Sequence, residues 1–448
     1  MAADLAAVWP PPYHTRSRWR VLQMWLAFGA IAVGGGVIIA VMIWSMGIGP
    51  TLIGLIVSLI PVPIIGLGLI WLDRFDPASW RYLGFAFGWG ACVATSVSLG
   101  VNTLGAWLIQ RVDGPLWVVA VVVAPVIEET TKGLAPLLIF WFRRRELSSA
   151  TDAIVFAGLA ALGFAMTENV LYLGGVYLAG SEFLGPAGGT LWLVMLFGAR
   201  IVLSGFAHPM FTVMTALGLV IAVRSASSAV RQVAPVVGLT VAMLLHAGWN
   251  GMATASAQDP RILGYGYLIG ALPILAVLIG LVLWLRTEPG RIVARVLPEY
   301  VQMGWFSPPE IVALATPRRR LWARRWAYRV AGPEGKRMMR IYQIAATRLA
   351  LLRDRMMRGV IGLPHHEYEA EERWLLHVID RHRAVFTGRD MTVPPARWDG
   401  TGYLIQFPDG ARHRLPAPPT PVVPVPVPLV ALAPPRLPFH SPLAPYYR

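Results

Sequence analysis

The chain of 448 residues is short of charge, of lysine and above all of cysteine. Its one cysteine, Cys92, lies in an apolar run, which excludes an intrachain disulfide and any cysteine-rich metal site. Charged residues make up 14% of the chain, well under the roughly 25% of a soluble globular domain, while 56% are hydrophobic and 18 are tryptophan. A soluble protein is thereby excluded and a polytopic membrane protein indicated. No HExxH occurs, since HHEYE at 365–369 has no second histidine in place, and no Walker lysine motif or glycine-rich nucleotide fingerprint is present. Lysine occurs only at 132 and 336, so nearly every basic residue is arginine, an association with G+C-rich coding that points to a bacterial source.

What is abundant is apolar sequence in long runs. Eight of them, at 21–46, 50–72, 83–109, 116–142, 154–178, 190–222, 233–255 and 262–285, are each long enough for a helix to cross about 30 Å of hydrocarbon. The expected fold is therefore an all-α polytopic membrane protein of about eight transmembrane helices. The sixth run is long enough to be tilted or broken at Pro209. The first run is too long for a signal-peptide core and has no evident cleavage motif, so residues 1–20 read as a cytoplasmic segment before an uncleaved span. Arg16, Arg18, Arg20, Arg74, Arg81, Arg143, Arg144, Arg145, Arg224, Arg231 and Arg286 all fall on one side of this arrangement, against Arg111 and Arg261 on the other. Positive charge collects in short cytoplasmic loops, which puts both termini in the cytoplasm of a multi-pass plasma-membrane protein.

Against that background the ionisable residues inside the runs stand out, because a carboxylate at the centre of a membrane helix costs roughly 2.5 to 3.5 kcal/mol. Glu128 and Glu129 are adjacent, with Lys132 one turn on. Counted from the cytoplasmic flank, Glu128 is 15 residues from Arg143, Glu168 is 16 from Asp152, His208 is 16 from Arg224 and His246 is 15 from Arg231. At about 1.5 Å per residue all four lie roughly 23 Å deep, so four helices bring ionisable groups to one level. His246 and Asn250 share a helix face, as do Glu128 and Lys132, whereas Glu129 points about 100° away. A carboxylate in a low dielectric suits general-base work on water, and histidine with asparagine can donate to a developing oxyanion. Amide hydrolysis within the membrane needs those parts. Two histidines with glutamates equally suit a divalent metal such as zinc, with Glu129, Glu168, His208 and His246 as candidate ligands.

These residues carry a family resemblance. EETTK at 128–132, FAMTEN at 164–169, His208 and HAGWN at 246–250, together with DRFDP at 73–77, resemble the PrsW family of intramembrane proteases, relatives of the type II CAAX prenyl endopeptidases. The likeness covers roughly residues 20–286. It implies that Glu128 or Glu129 activates water, that Lys132 is their charge partner, and that His208, His246 and Asn250 position the water or stabilise the oxyanion, with Glu168 and Asn169 completing the site. The prenyl endopeptidases typically show EExxxR and a histidine where this chain has EETTK and Glu168. Those departures favour a membrane-anchored protein substrate, such as an anti-sigma factor, over a prenylated one.

Bland readings stand beside these. The glutamate pair with Lys132 could be a neutralised packing device, Asn169 and Asn250 interhelical glue, Arg200 a snorkelling side chain, and Ser204 a packing contact, since VLSG lacks the first glycine of a rhomboid-like motif. GFAFG at 84–88 and GYLIG at 266–270 suit close helix packing. From another class, an ion-coupled secondary transporter would use the same carboxylates as a relay.

After Arg286 the character changes. Residues 287–448 hold 24 basic against 13 acidic residues, most of the net charge of +15. A basic helical cytoplasmic region is expected over 287–393, with helices near 318–331, 336–359 and 365–386. A short strand pair around GYLIQF and a disordered proline-rich tract should follow over 394–448. Such a tail should adhere to anionic inner-leaflet lipid, and it has no nucleic-acid-binding motif.

Overall fold

The computed structural model describes residues 18–143, 147, 149–302, 305–359, 365–386, 396–406 and 412–416. The chain divides into two compact units, one of Arg16–Arg286 and one beginning at Thr287.

The first unit is helical throughout. Its helices are α1 (Arg18–Met46), α2 (Ile48–Leu59), α3 (Pro61–Leu72), α4 (Trp80–Gly88), α5 (Thr95–Arg111), α6 (Ala124–Phe142), α7 (Ala150–Phe197), α8 (Ala207–Arg224), α9 (Ser228–Ala255), α10 (Pro260–Tyr265) and α11 (Leu272–Arg286). Six helical stretches among the described residues are long and apolar enough to cross a membrane. The expected fifth and sixth runs lie together in one of these, Ala150–Arg224. The expected fourth run is helical too, but it carries three charged residues close together.

Local chemistry explains where α7 starts and bends. Ser149 and Asp152 form a reciprocal capping box at its N-terminus, with the Ser149 N–H donating to Asp152 Oδ2 at 2.7 Å. At Leu184 and Gly185 the helix reverses: Gly185 has φ 72°, open to glycine at no steric cost, and Pro186 starts the returning arm. Residues 186–197 then run back along the first arm. Gly180 meets Gly188, and Gly189 lies so close to Tyr177 that a Cβ there would sit 2.6 Å from the Tyr177 carbonyl.

The returning arm continues as a π-helical segment, Gly198–Leu203, and then leaves helical geometry at residues 204–206. The sixth apolar run is thus broken just before the point expected. Pro209 lies in the first turn of α8, where its missing N–H has no intrahelical partner to lose.

Glycines set the closest crossings. A Cβ at Gly90 would fall 1.9 Å from the Ala160 carbonyl oxygen, and one at Gly163 2.1 Å from that of Phe87, so the π-helical segment Trp89–Ala94 between α4 and α5 rests directly on α7. Gly218 and Gly238 do the same for α8 and α9. Of the GFAFG pair, Gly84 has open space in front of it and Gly88 only the Ile31 side chain.

The second unit is a folded body with its own core. It comprises α12 (Glu288–Val296), α13 (Pro298–Gln302), α14 (Pro308–Ala315), α15 (Pro317–Met357) and α16 (His365–Arg383). Tyr300, Phe306, Trp326, Tyr342, Leu349 and Phe386 are among the buried residues that cluster there. α15 kinks at Ala331 and Gly332 (φ 63°), where the GPEG turn was expected. In place of a strand pair there is a small antiparallel sheet in the order β1 (Ala396–Trp398), β2 (Gly402–Gln406), β3 (Arg412–Pro416), with Leu404 opposite Arg414. Residues 1–17 and the proline-rich tract from 417 lie outside the described residues.

Candidate active site

Glu128, Glu168, His208 and His246 converge from α6, α7, α8 and α9 on one cavity of about 630 Å³. The fit is tightest for three of them. One ligand atom each from Glu128, His208 and His246 lies within 4.8 Å of the other two, the one such group of three among the described residues. The two imidazoles stand edge to face with ring centres 5.5 Å apart, Phe211 stacks on His246 at 4.9 Å, and Phe164 faces His208 at 5.6 Å. Aromatic walls of this kind keep the donor atoms fixed and the dielectric low.

The remaining sequence candidates surround that group. Glu129 is fully buried and saturated: Oε1 accepts from Lys132 Nζ at 2.5 Å and from His246 Nδ1 at 2.9 Å, and Oε2 from the Thr212 hydroxyl at 2.9 Å. The His246 proton is therefore on Nδ1, which leaves Nε2 as the nitrogen facing Glu128 Oε2 at 3.8 Å. Lys132 also donates to His208 Nδ1 at 3.2 Å, and its ammonium sits 4.5 Å from the Phe164 ring centre. Lysine has no acceptor, so His208 carries its own proton on Nε2 and gives it to Glu168 Oε2 at 3.0 Å.

Glu128 is engaged differently. Oε1 accepts from Asn102 Nδ2 at 3.3 Å, while Oε2 is buried without a hydrogen-bond partner, with the Lys132 ammonium 3.9 Å away. Leaving such an oxygen unmade is expensive, and its orphan state marks a place prepared for a cation or a proton. Three π-helical segments, Trp89–Ala94, Val119–Val123 and Gly198–Leu203, adjoin the helices that line this cavity. Such turns are frequent at functional sites because they free carbonyls and redirect side chains. Asn250 shows this directly: its amide donates at 2.8 Å to the Ala120 carbonyl, whose π-register partner would be Pro125, a residue with no N–H.

Arg200 departs from the snorkelling reading. The reversal at Gly185 folds it back to the depth of Glu168, where Nη2 reaches Glu168 Oε2 at 2.5 Å and Nε donates to Asn169 Oδ1 at 3.0 Å. Its guanidinium also covers the Tyr172 ring at 3.8 Å. Asn102, Thr212 and Tyr172 were likewise missed. Thr212 stands one turn after His208 on the same face, and Asn102 is an amide in an apolar span, so each left a trace in the sequence. Ser204 instead donates to the backbone carbonyls of Ala199 and Arg200, at the helix break.

Of the expected metal ligands, the two histidines belong to the tight group. Glu129 stands behind them with both oxygens engaged, Glu168 lines the cavity with Oε2 taken by Arg200 and His208, and Glu128 takes the forward position. A set of two imidazoles and a carboxylate, one oxygen of it orphaned, matches the donor chemistry of a divalent metal site.

An integral membrane enzyme with a hydrolytic site buried among its helices is what this architecture defines. Residues 78–278 match the PrsW-protease family model, described as PrsW family intramembrane metalloprotease. The chain thus contains a PrsW-family protease domain and is an intramembrane protease; α1 to α3 and the second unit lie outside the matched region. The family description implies a metal and a membrane-protein substrate, and an ion-coupled carrier is not favoured. No curated protein and no solved structure matches the chain.

Proposed function

We propose that this cavity hydrolyses a peptide bond in a membrane-anchored protein, an anti-sigma factor being the kind of substrate that the motif pattern suggests. The observation that carries the proposal is the orphaned Glu128 Oε2 facing the Nε2 of His246 beside His208. Glu128, His208 and His246 would hold a divalent metal, with zinc suited to this donor set. Bound there, the metal would polarise the scissile carbonyl and make water a nucleophile near neutral pH.

The chain's own groups prepare that chemistry. Glu129 fixes the His246 tautomer by accepting its Nδ1 proton, and Thr212 fixes Glu129 in turn. Lys132 neutralises Glu129 and occupies the Nδ1 lone pair of His208; Glu129, 2.5 Å away, offers the ammonium another acceptor when that lone pair is needed. Glu168 orients His208, and Arg200 restrains Glu168. Arg200 gives N–H groups to Glu168 and Asn169 and also bonds Tyr172, and a guanidinium with five N–H groups keeps further donors for a developing oxyanion. Asn250 holds the Val119–Val123 segment in place at the mouth of the cavity. The placing of the enzyme in a bacterial plasma membrane with cytoplasmic termini belongs to the same proposal and rests on the arginine distribution.

Elemental analysis of purified protein, paired with a proteome comparison of cells carrying wild type or Glu128→Gln, tests the reading. About one divalent metal per chain, lost on His246→Ala, is expected, along with a membrane-protein fragment that Glu128→Gln abolishes. Metal-free active protein would instead make Glu128 Oε2 the base that takes the proton of water. Undiminished cleavage by Glu128→Gln would sink both versions.

A further inference from the structure

The first fourteen residues of α15 present two different faces. Ala323, Trp326 and Ala327 are buried in the core of the second unit, whereas Arg318, Leu321, Trp322, Arg325, Tyr328 and Arg329 are exposed. At about 100° per residue these six fall within an arc of roughly 120°. Leu321 and Trp322 are each 46% exposed and Tyr328 52%, a large apolar contribution for the outer face of a folded body. None of Arg318, Arg325 and Arg329 takes part in an ion pair among the described residues, although the unit pairs other arginines closely, Arg353 with Glu299 and Arg295 with Asp354. Arg318 instead leans toward the Trp322 ring at 6.0 Å. The unit therefore places three unpaired guanidinium groups among two aromatic rings and a leucine on one stripe.

We infer that this stripe docks on the anionic leaflet of the membrane that the protein itself spans. Tryptophan and tyrosine settle at the headgroup level, and arginine adds attraction to anionic lipid; an amphipathic face with both is the chemistry of an interfacial helix. The unit begins at Thr287, directly after the last apolar helix ends at Arg286. Covalent attachment to a spanning helix holds the stripe at high effective concentration near the bilayer, so a weak second contact is enough. The uninterrupted body behind the stripe, with its own buried core, makes this a defined docking face and not a general adhesion of a basic tail. It deepens the reading of the basic region as lipid-adherent and stands apart from the peptidase chemistry, so failure of either leaves the other intact.

The test uses the full chain in vesicles, with Cys92→Ser to remove the native thiol and Trp322→Cys carrying an environment-sensitive dye. Phosphatidylcholine vesicles are compared with vesicles holding about a third phosphatidylglycerol. Emission should shift to the blue and be quenched by lipid-borne quenchers only with the anionic lipid. A dye at Lys336→Cys, exposed beyond the kink, should stay aqueous. Each arginine near an anionic surface is worth roughly a fivefold factor, so Arg318→Gln, Arg325→Gln and Arg329→Gln together should lower docking about a hundredfold. Salt near 1 M, with a screening length of about 3 Å, should reverse it without any substitution. Emission that is the same in both lipids, or indifferent to both salt and the triple variant, overturns the inference. So does shielding of the dye that appears only on adding a soluble protein or nucleic acid, which would give the face to that partner.

Discussion

Arg200 Nη2 and Glu168 Oε2 meet at 2.5 Å between the π-helical segment Gly198–Leu203 and the first arm of α7, although the residues are far apart along the chain. The side chains are 26% and 16% exposed, so the pair is largely dry. Removing one partner of such a pair leaves an uncompensated charge, at a cost of about 3 kcal/mol. Arg200→Gln should therefore lower the melting temperature in detergent and slow cleavage by about a hundredfold, since Glu168 would lose its restraint on His208. Adding Glu168→Gln should recover stability by more than about 1 kcal/mol but no activity. A snorkelling arginine would show neither effect, and additive losses in the double variant would reject the pairing. Arg200→Lys should rescue poorly, because an ammonium cannot serve Glu168 and Asn169 together from a planar fork.

Gly90 and Gly163 predict a loss of activity from outside the cavity. A Cβ at either would strike a backbone carbonyl at 1.9 or 2.1 Å, which no rotamer change can relieve. Gly90→Ala and Gly163→Ala should each cost about 1 to 3 kcal/mol by forcing α7 away from α4 and the Trp89–Ala94 segment, and cleavage should fall with them, because Glu168 rides on α7 and Asn102 on the helix that continues that segment. Gly84→Ala is the control. With open space in front of it, that change should be neutral or slightly stabilising, as alanine is the better helix former. Equal melting temperatures for all three variants would show that the crossing is looser than drawn.

The apolar runs were legible because lipid demands them: every backbone group must be satisfied within its own helix, so a span leaves an unbroken signature of about 20 residues. The level shared by Glu128, Glu168, His208 and His246 was legible for the complementary reason, that polar groups at that depth are costly and so conspicuous. Which glutamate faces the cavity was not. Glu128 and Glu129 differ by about 100° in direction, and the choice is made by crossings at Gly90, Gly163, Gly218 and Gly238 between helices distant in sequence. Arg200 was misjudged because depth was counted along an unbroken span. Glu168 and Arg200 each lie 16 residues from Leu184, a symmetry that the Gly185–Pro186 pair could have revealed. The second unit hid its core under its charge: Tyr300, Trp326 and Tyr342 meet only when segments dozens of residues apart pack together.

Asp73, in the turn after α3 and outside the spans, predicts a pH effect on stability. It is 4% exposed, and its Oδ2 accepts from the Ala78 N–H at 2.6 Å. Burial first, then the neighbouring charges of Asp152 and Asp76, push its carboxyl well above the ordinary value of 3.8. An acid held more tightly protonated in the fold than in the unfolded chain contributes stability that is complete below 3.8 and is lost as pH climbs through the raised value. The melting temperature should accordingly decline from acid toward neutral pH. Asp73→Asn keeps an acceptor for Ala78 and removes the titration, so it should raise the melting temperature at pH 8 and change little at pH 4. An identical slope in the variant would assign the pH dependence elsewhere.

In the second unit, Glu310 and Arg383 form an ion pair that is buried on both sides, at 1% and 5% side-chain exposure. Glu310 Oε1 accepts from Arg383 Nη1 at 3.3 Å and from the Tyr342 hydroxyl at 3.0 Å, while Oε2 caps α14 by accepting from the Ser307 N–H at 2.7 Å. Burial raises the Tyr342 pKa well above its usual value, and the adjacent carboxylate adds to it. For Arg383 burial opposes the charge, yet Glu310 beside it more than restores it. Glu310→Gln should then cost about 2 to 3 kcal/mol, because the buried guanidinium loses its closest buried counter-charge and keeps only the half-exposed Asp380 at 3.5 Å, and a cap is weakened. Arg383→Met added to it should return a good part of that loss. Limited proteolysis provides the measurement: cuts should appear first between residues 287 and 386 in Glu310→Gln, recede in the double variant, and leave the region of α6 to α9 untouched. Cutting that begins in α6 to α9 instead would mean that the two units do not unfold separately.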